Sequence, residues 1–223
     1  MSVWQRIETV LGSLVNVLDP DNWLPGGKDA AFTLALVALS AKMAVADGVV
    51  TTSEVHAFRN FVKVPSEDAD QIERFFELAQ QDVAGFKSYA RKVKRLFADS
   101  PQTLESVLEG LFTIAAADGM IHEGELEFLK DVSDIFGFPV MKFEQIAAQF
   151  MVENNGSDPY LVLGVLPEAS NADIKRAYRE LVLLHHPDRL IANSVPEEMA
   201  EMGMERIAAI NVAYDLITKA RRF

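Results

Sequence analysis

Four carboxylates stand at spacings that could hold a metal ion. Asp47 and Glu54 frame the run Asp47-Gly48-Val49-Val50-Thr51-Thr52-Ser53-Glu54. Asp118 and Glu125 frame Asp118-Gly119-Met120-Ile121-His122-Glu123-Gly124-Glu125, 71 residues further on. Asp, Gly, an apolar residue and a terminal Glu, in that order, match the second half of an EF-hand calcium loop. The first half does not fit. The positions of the leading ligands hold Met43 and Val45 in one copy and Ile114 and Ala116 in the other. Apolar side chains offer no oxygen to a hard cation that takes about six to eight. The same residues suit plain helix boundaries. Gly48 and Gly119 can end a helix in the left-handed conformation, Val50 and Ile121 can pin the turn, and Thr51 with Glu54 has capping-box spacing. Capping is the preferred account; metal ligation by Asp47, Glu54, Asp118 and Glu125 stays as the alternative.

A second group is His186-Pro187-Asp188-Arg189, behind a helix with a basic face. Ser170 with Asp173 marks that helix's start. Ile174, Ala177, Tyr178, Leu181 and His185 share one face, and Lys175, Arg176 and Arg179 lie opposite. Proline disfavours the α conformation at the residue before it, so His186 is expected to leave the helix and be displayed in a loop. His185 reads as packing, and Tyr178 and Tyr214 as core aromatics. His56 and His122 stand alone, with no ligand partners in register. The sequence carries no Gly-rich phosphate cradle, no Walker lysine, no nucleophile elbow and no H-E-x-x-H. No enzyme chemistry of its own and no cofactor is expected.

The elements that must position these residues are helices. Of the 223 residues 49% are apolar, and strands with strict alternation are missing. The first candidate helix is Val3 to Leu18, with Trp4, Ile7, Val10, Leu11, Leu14 and Val15 on one face. It is expected to pack on the next domain, with a partner or membrane-surface role as the sharper option. Residues 19–27 form a loop by their Pro, Gly and Asn content. Helices are expected near Glu67 to Gln81 and Phe86 to Phe97. Ser100-Pro101 caps and restarts the chain, and Gly137 with Pro139 ends the last helix of the repeat. In the last third, Asp158-Pro159 opens a short helix that Gly164 stops. A third helix of this part is expected from about Pro196 to Ala220, with Met199, Ile207, Ile210, Ala213, Tyr214 and Ile217 as its stripe.

Charge and composition exclude several partners. The net charge is −12, of which residues 158–223 carry −2 and the first 157 carry −10. Such an acidic surface disfavours nucleic acid and anionic lipid. There is no cysteine, hence no disulfide framework and no thiolate zinc site. The longest apolar stretch, Ala30 to Val45, is short of the roughly 20 residues of a span and holds Lys42. No signal peptide and no transmembrane helix are expected, which favours a cytoplasmic protein and leaves peripheral membrane association open.

The paired A-x-A-D-G-x-[VI]…E elements resemble the TerB (tellurite-resistance) helical domain. D-P-Y-x-x-L-G-V, I-K-R-A-Y-R-x-L, H-H-P-D-R and I-x-x-I-N-x-A-Y-x-L occur in the order of the J-domain family, and the long stretch after His-Pro-Asp looks like its DjlA branch. The resemblance implies an all-α fold. Residues 1–28 would be an N-terminal amphipathic helix and loop, 29–152 a TerB-like bundle with an internal pseudo-repeat, 153–157 a linker, and 158–223 a J-domain helical hairpin. It also implies a co-chaperone that binds a DnaK-type chaperone and stimulates its ATPase. His186, Pro187, Asp188, Lys175, Arg176, Arg179 and Arg189 would be the contacts, with the TerB-like domain targeting the chain to an unknown client. The basic face is smaller than is usual in J domains, with Glu180 and Leu184 where further basic residues often stand. The DjlA branch is expected to hold a membrane anchor, and no such span is read here. The rival function is a TerB-like metal- or envelope-stress-binding module with an incidental J domain. A homodimer is left open.

Overall fold

The computed structural model describes residues 27–46, 69–81, 85–150, 158–197 and 200–223. The described residues form ten α-helices and no strand, with one short 3₁₀ turn. At the centre is α1 (Lys28–Ala46), which is apolar all round. Every residue from Ala30 to Ala44 is buried. A helix with no polar face belongs inside a bundle or a bilayer; here it is wrapped by α2 (Ala69–Gln81), α3 (Phe86–Leu96), α4 (Pro101–Ala115) and α5 (Glu123–Phe136). Its few polar groups are satisfied locally. Thr33 and Ser40 donate to the carbonyls of Asp29 and Leu36, at 3.1 and 2.6 Å. The Lys42 ammonium lies 5.1 Å from the centre of the Tyr89 ring. No helix among the described residues is long and apolar enough to cross a membrane.

The second copy of the repeat is described. Ala116–Asp118 is a 3₁₀ turn ended by Gly119 at φ 92°, the left-handed conformation a side chain rarely adopts. The Glu125 carboxylate is buried and accepts the His122 backbone N–H at 2.8 Å, so it serves as a cap for the start of α5. Gly137 ends α5 in the same left-handed conformation, and α6 (Val140–Phe150) comes next. Phe143 and Phe150 of α6 pack on Phe112 of α4, with ring centres 5.7 and 5.0 Å away. Pro101 does open α4, but Ser100 makes no side-chain cap; its backbone carbonyl closes the turn instead. The first copy (Asp47 to Glu54, including Thr51), the helix expected at Val3 to Leu18, His56, Met199 and the linker 153–157 lie outside the described residues.

The C-terminal part opens with α7 (Pro159–Val162), capped by Asp158 and stopped by Gly164. Helices α8 (Asn171–Leu184) and α10 (Met202–Arg221) run antiparallel. Arg221 donates to the Ala169 carbonyl near one end, Tyr178 stacks on Tyr214 at 4.1 Å in the middle, and Gly203 meets His185 at the other end. In this part too the structure departs from expectation. The last helix begins at Met202, six residues after Pro196, and the intervening chain is preceded by an additional helix, α9 (Pro187–Ala192). Tyr178 and Tyr214 are only half-buried: they stack at the edge of the core, where the Tyr178 hydroxyl donates to Asn211.

Candidate partner-docking face

The start of α8 is built by a reciprocal cap. The Ser170 hydroxyl accepts the Asp173 N–H at 3.1 Å and donates to the Asp173 carboxylate at 2.7 Å. That bond, and next the Arg176 guanidinium 2.6 Å away, hold the Asp173 carboxyl below its usual range. Lys175, Arg176 and Arg179 are exposed, as the helical periodicity requires. They are not equivalent. Arg176 is paired with Asp173, and the Lys175 ammonium lies 5.1 Å from the Phe223 ring centre. Arg179 has no ion-pair partner among the described residues.

At the far end of α8 the chain turns at His185, and Pro187 occupies the first position of α9. His186 does leave α8, but it is not displayed in a plain loop. It is the N-cap of α9, and its Nδ1 accepts the Asp188 N–H at 3.3 Å. Pro187 suits the first turn of a helix because it lacks the N–H that would have no partner there. The side chains of His186 and Asp188 stay open, at 53% and 90% exposure, with Arg189 exposed beside them. His186, Pro187, Asp188 and Arg189 thus form one turn, and Arg179 sits about 9 Å back along α8 at 1.5 Å per residue.

Behind this turn lies a buried charged cluster. The His185 ring, 2% exposed, faces the equally buried Glu109 carboxylate of α4, with Nδ1 3.7 Å from Oε2. Among the described residues, neither ring nitrogen of His185 nor Oε1 of Glu109 finds a hydrogen-bond partner. One turn before, Glu105 pairs with Lys142 of α6 at 2.5 Å. Arg206 of α10 is buried, with its guanidinium 3.5 Å from the Phe150 ring centre. Burial pushes Glu109 up to about 7 against the opposing pull of Lys142 and Arg206. Burial also pushes His185 down to about 4. Glu105 is raised as well, by burial first and by the neighbouring Glu109 next. His185 is therefore packed as expected, but against a carboxylate from the first half of the chain rather than only within its own hairpin.

Sequence reasoning missed Glu105, Glu109, Lys142 and Arg206. A signal was there: Glu105 and Glu109 sit one turn apart in a run, Leu104 to Leu111, whose only other polar side chain is Ser106, and a buried acid requires a partner. Around the cluster, Leu190, Val195, Ala200 and Met202 join the hydrophobic core formed by α1 and α4, and Ala148 of α6 joins the core of α8 and α10. The Thr103 hydroxyl donates to the Asn193 carbonyl at 2.7 Å, and Gln149 donates to the Val162 carbonyl at 3.4 Å.

The pairing of these two halves matches known families in order. Residues 33–148 match the family model described as tellurite resistance protein TerB, over half of the chain. The chain belongs to the TerB family. Residues 158–222 match the DnaJ domain model, so the chain is a DjlA-like protein with a TerB domain followed by a J domain. A relative from Photobacterium profundum, named Co-chaperone protein DjlA, is 29% identical over 88% of this chain and 80% of its own length. Another of that name, from Aliivibrio fischeri, is 26% identical over 87% of this chain and 80% of its own. A third, from Haemophilus influenzae, is 34% identical over about half of each chain. No solved structure matches.

Proposed function

We infer that the protein is a co-chaperone whose J domain docks on a DnaK-type chaperone and stimulates its ATPase. The observation that carries this is the exposed His186-Pro187-Asp188 turn capping α9 at the end of a basic-faced α8, within a DnaJ domain. Lys175, Arg176 and Arg179 would meet an acidic surface of the chaperone, which speeds encounter and fixes orientation. His186, Pro187, Asp188 and Arg189 would bias the chaperone toward hydrolysis. The relatives' printed name, Co-chaperone protein DjlA, supports the same role. The TerB domain would select the client or place, acting in the cytoplasm. Single-turnover ATP hydrolysis by DnaK tests the proposal. The chain should accelerate it, and His186→Gln should abolish the acceleration while circular dichroism is unchanged. A His186→Gln chain that stimulates like the wild type would sink this mechanism.

A further inference from the structure

The His186 turn carries the activating chemistry proposed above, yet the residue before it faces a carboxylate of the other domain. Glu109 lies in the TerB domain and His185 at the last turn of α8, 76 positions later. Their side chains meet in a region closed to solvent, with Glu105, Lys142 and Arg206 as neighbours. Charged groups are costly to bury, and a cluster of them is retained only where partners hold one another. The contact is also continuous with packing on both sides. On one side Thr103 donates to Asn193, just after α9; on the other Gly203 touches the His185 carbonyl. The short helix that His186 caps is thus held from α4 at both of its ends.

We propose that Glu109 is a positioning residue for the His186-Pro187-Asp188 turn: through His185 the TerB domain sets the orientation in which the J domain presents its partner-activating loop. The TerB domain would then tune the J domain directly, besides any targeting. This rests on the co-chaperone reading for its functional consequence, though the positioning itself is a property of the free chain. A positioning role predicts a split. Affinity for the chaperone depends on the exposed basic face, which lies away from α4, whereas maximal stimulation depends on the held turn.

The test uses the full chain with Glu109→Ala and Glu109→Gln, the latter keeping an acceptor facing His185. Stimulation of DnaK single turnover is titrated with each chain, and amide hydrogen exchange is followed in the chains alone. For Glu109→Ala, maximal stimulation should fall roughly tenfold, with the half-saturating concentration nearly unchanged. The amides of Leu190 and Asn193, bonded to the carbonyls of His186 and Arg189, should exchange roughly tenfold faster, while that of Leu126 in α5 should not. Glu109→Gln should restore both. If Glu109→Ala unfolds, Glu109→Leu fills the space without an acceptor and is read in its place. Wild-type stimulation and exchange in the Ala or Leu chain would overturn the proposal, as would a change confined to the half-saturating concentration. A wild-type chain that fails to stimulate DnaK sinks the co-chaperone reading instead, and the exchange of Leu190 and Asn193 then decides the positioning alone.

Discussion

Gly203 of α10 lies directly against the carbonyl oxygen of His185, so close that a methyl group on it would overlap that oxygen. The obstacle is backbone, which cannot swing aside as a side chain can. Glycine costs a helix about 1 kcal/mol relative to alanine, so Gly203→Ala in an open helix would be stabilising. Here Gly203→Ala should instead destabilise relative to the wild-type chain by about 1–3 kcal/mol, as overpacking does. Urea denaturation of both chains checks this; a more stable Gly203→Ala chain would show that the hairpin gives way easily.

The Glu109–His185 contact makes two opposed contributions to stability against pH. Glu109, pushed up to about 7 from 4.5, keeps its proton in the folded chain where the unfolded chain has released it. Its contribution is complete below about 4.5 and is lost as pH rises through 7. His185, pushed down to about 4 from 6.5, contributes above 6.5 and loses that contribution as pH falls through 4. Between these limits they largely offset, in the shared field of Glu105, Lys142 and Arg206. Glu109→Gln should therefore lose stability on acidification from about pH 7 to 5, and His185→Phe should gain it. Urea midpoints across that range measure both slopes. Equal slopes in the two chains would contradict the assignment.

Arg221 ties the open end of the hairpin. Its guanidinium donates to the Tyr160 hydroxyl at 2.9 Å, the Ala169 carbonyl at 2.6 Å, the Asn171 side chain at 3.2 Å and the Pro167 carbonyl. Arg221→Ala should cost about 1.5–3 kcal/mol, in the range of hydrogen bonds to a charged group. Arg179→Ala, at an exposed site, should stay within about 0.5 kcal/mol. Thermal unfolding compares them, and matching melting temperatures would refute the tie.

Docking through α8 should weaken with salt, because the Debye length falls from about 10 Å at 0.1 M to about 3 Å at 1 M. The structure orders the contributions. Arg176 is already paired with Asp173, so Arg179→Glu should weaken DnaK binding at low salt more than Arg176→Glu does. Calorimetric titration across a salt series gives the answer; binding independent of salt would mean the basic face is merely solvated.

Local signals were the legible ones. The Ser170 cap, the Gly164 and Gly137 stops and the basic stripe of α8 are each decided within a few residues, and the structure has them. Pro187 shows where local rules divide: a proline that ends one helix is also a good first residue for another, and α9 took that option. The run Ala30 to Val45 is apolar on all sides, so periodicity could not orient it, and only its wrapping by four helices explains it. The charged cluster was illegible for a different reason. Glu109, Lys142, His185 and Arg206 are brought together by the docking of two domains, and no window of sequence holds them all.

Leu190, Val195 and Met202 sit in the core of α1 and α4 although they belong to the C-terminal part. This makes the C-terminal unit poorly portable. Excised at Asp158 or grafted onto another scaffold, it would bring its apolar underside and the half-network of His185 and Arg206 into water without the acids that face them. Chimeras that exchange J domains should therefore tolerate the cut best when α4 and α6 travel with the hairpin.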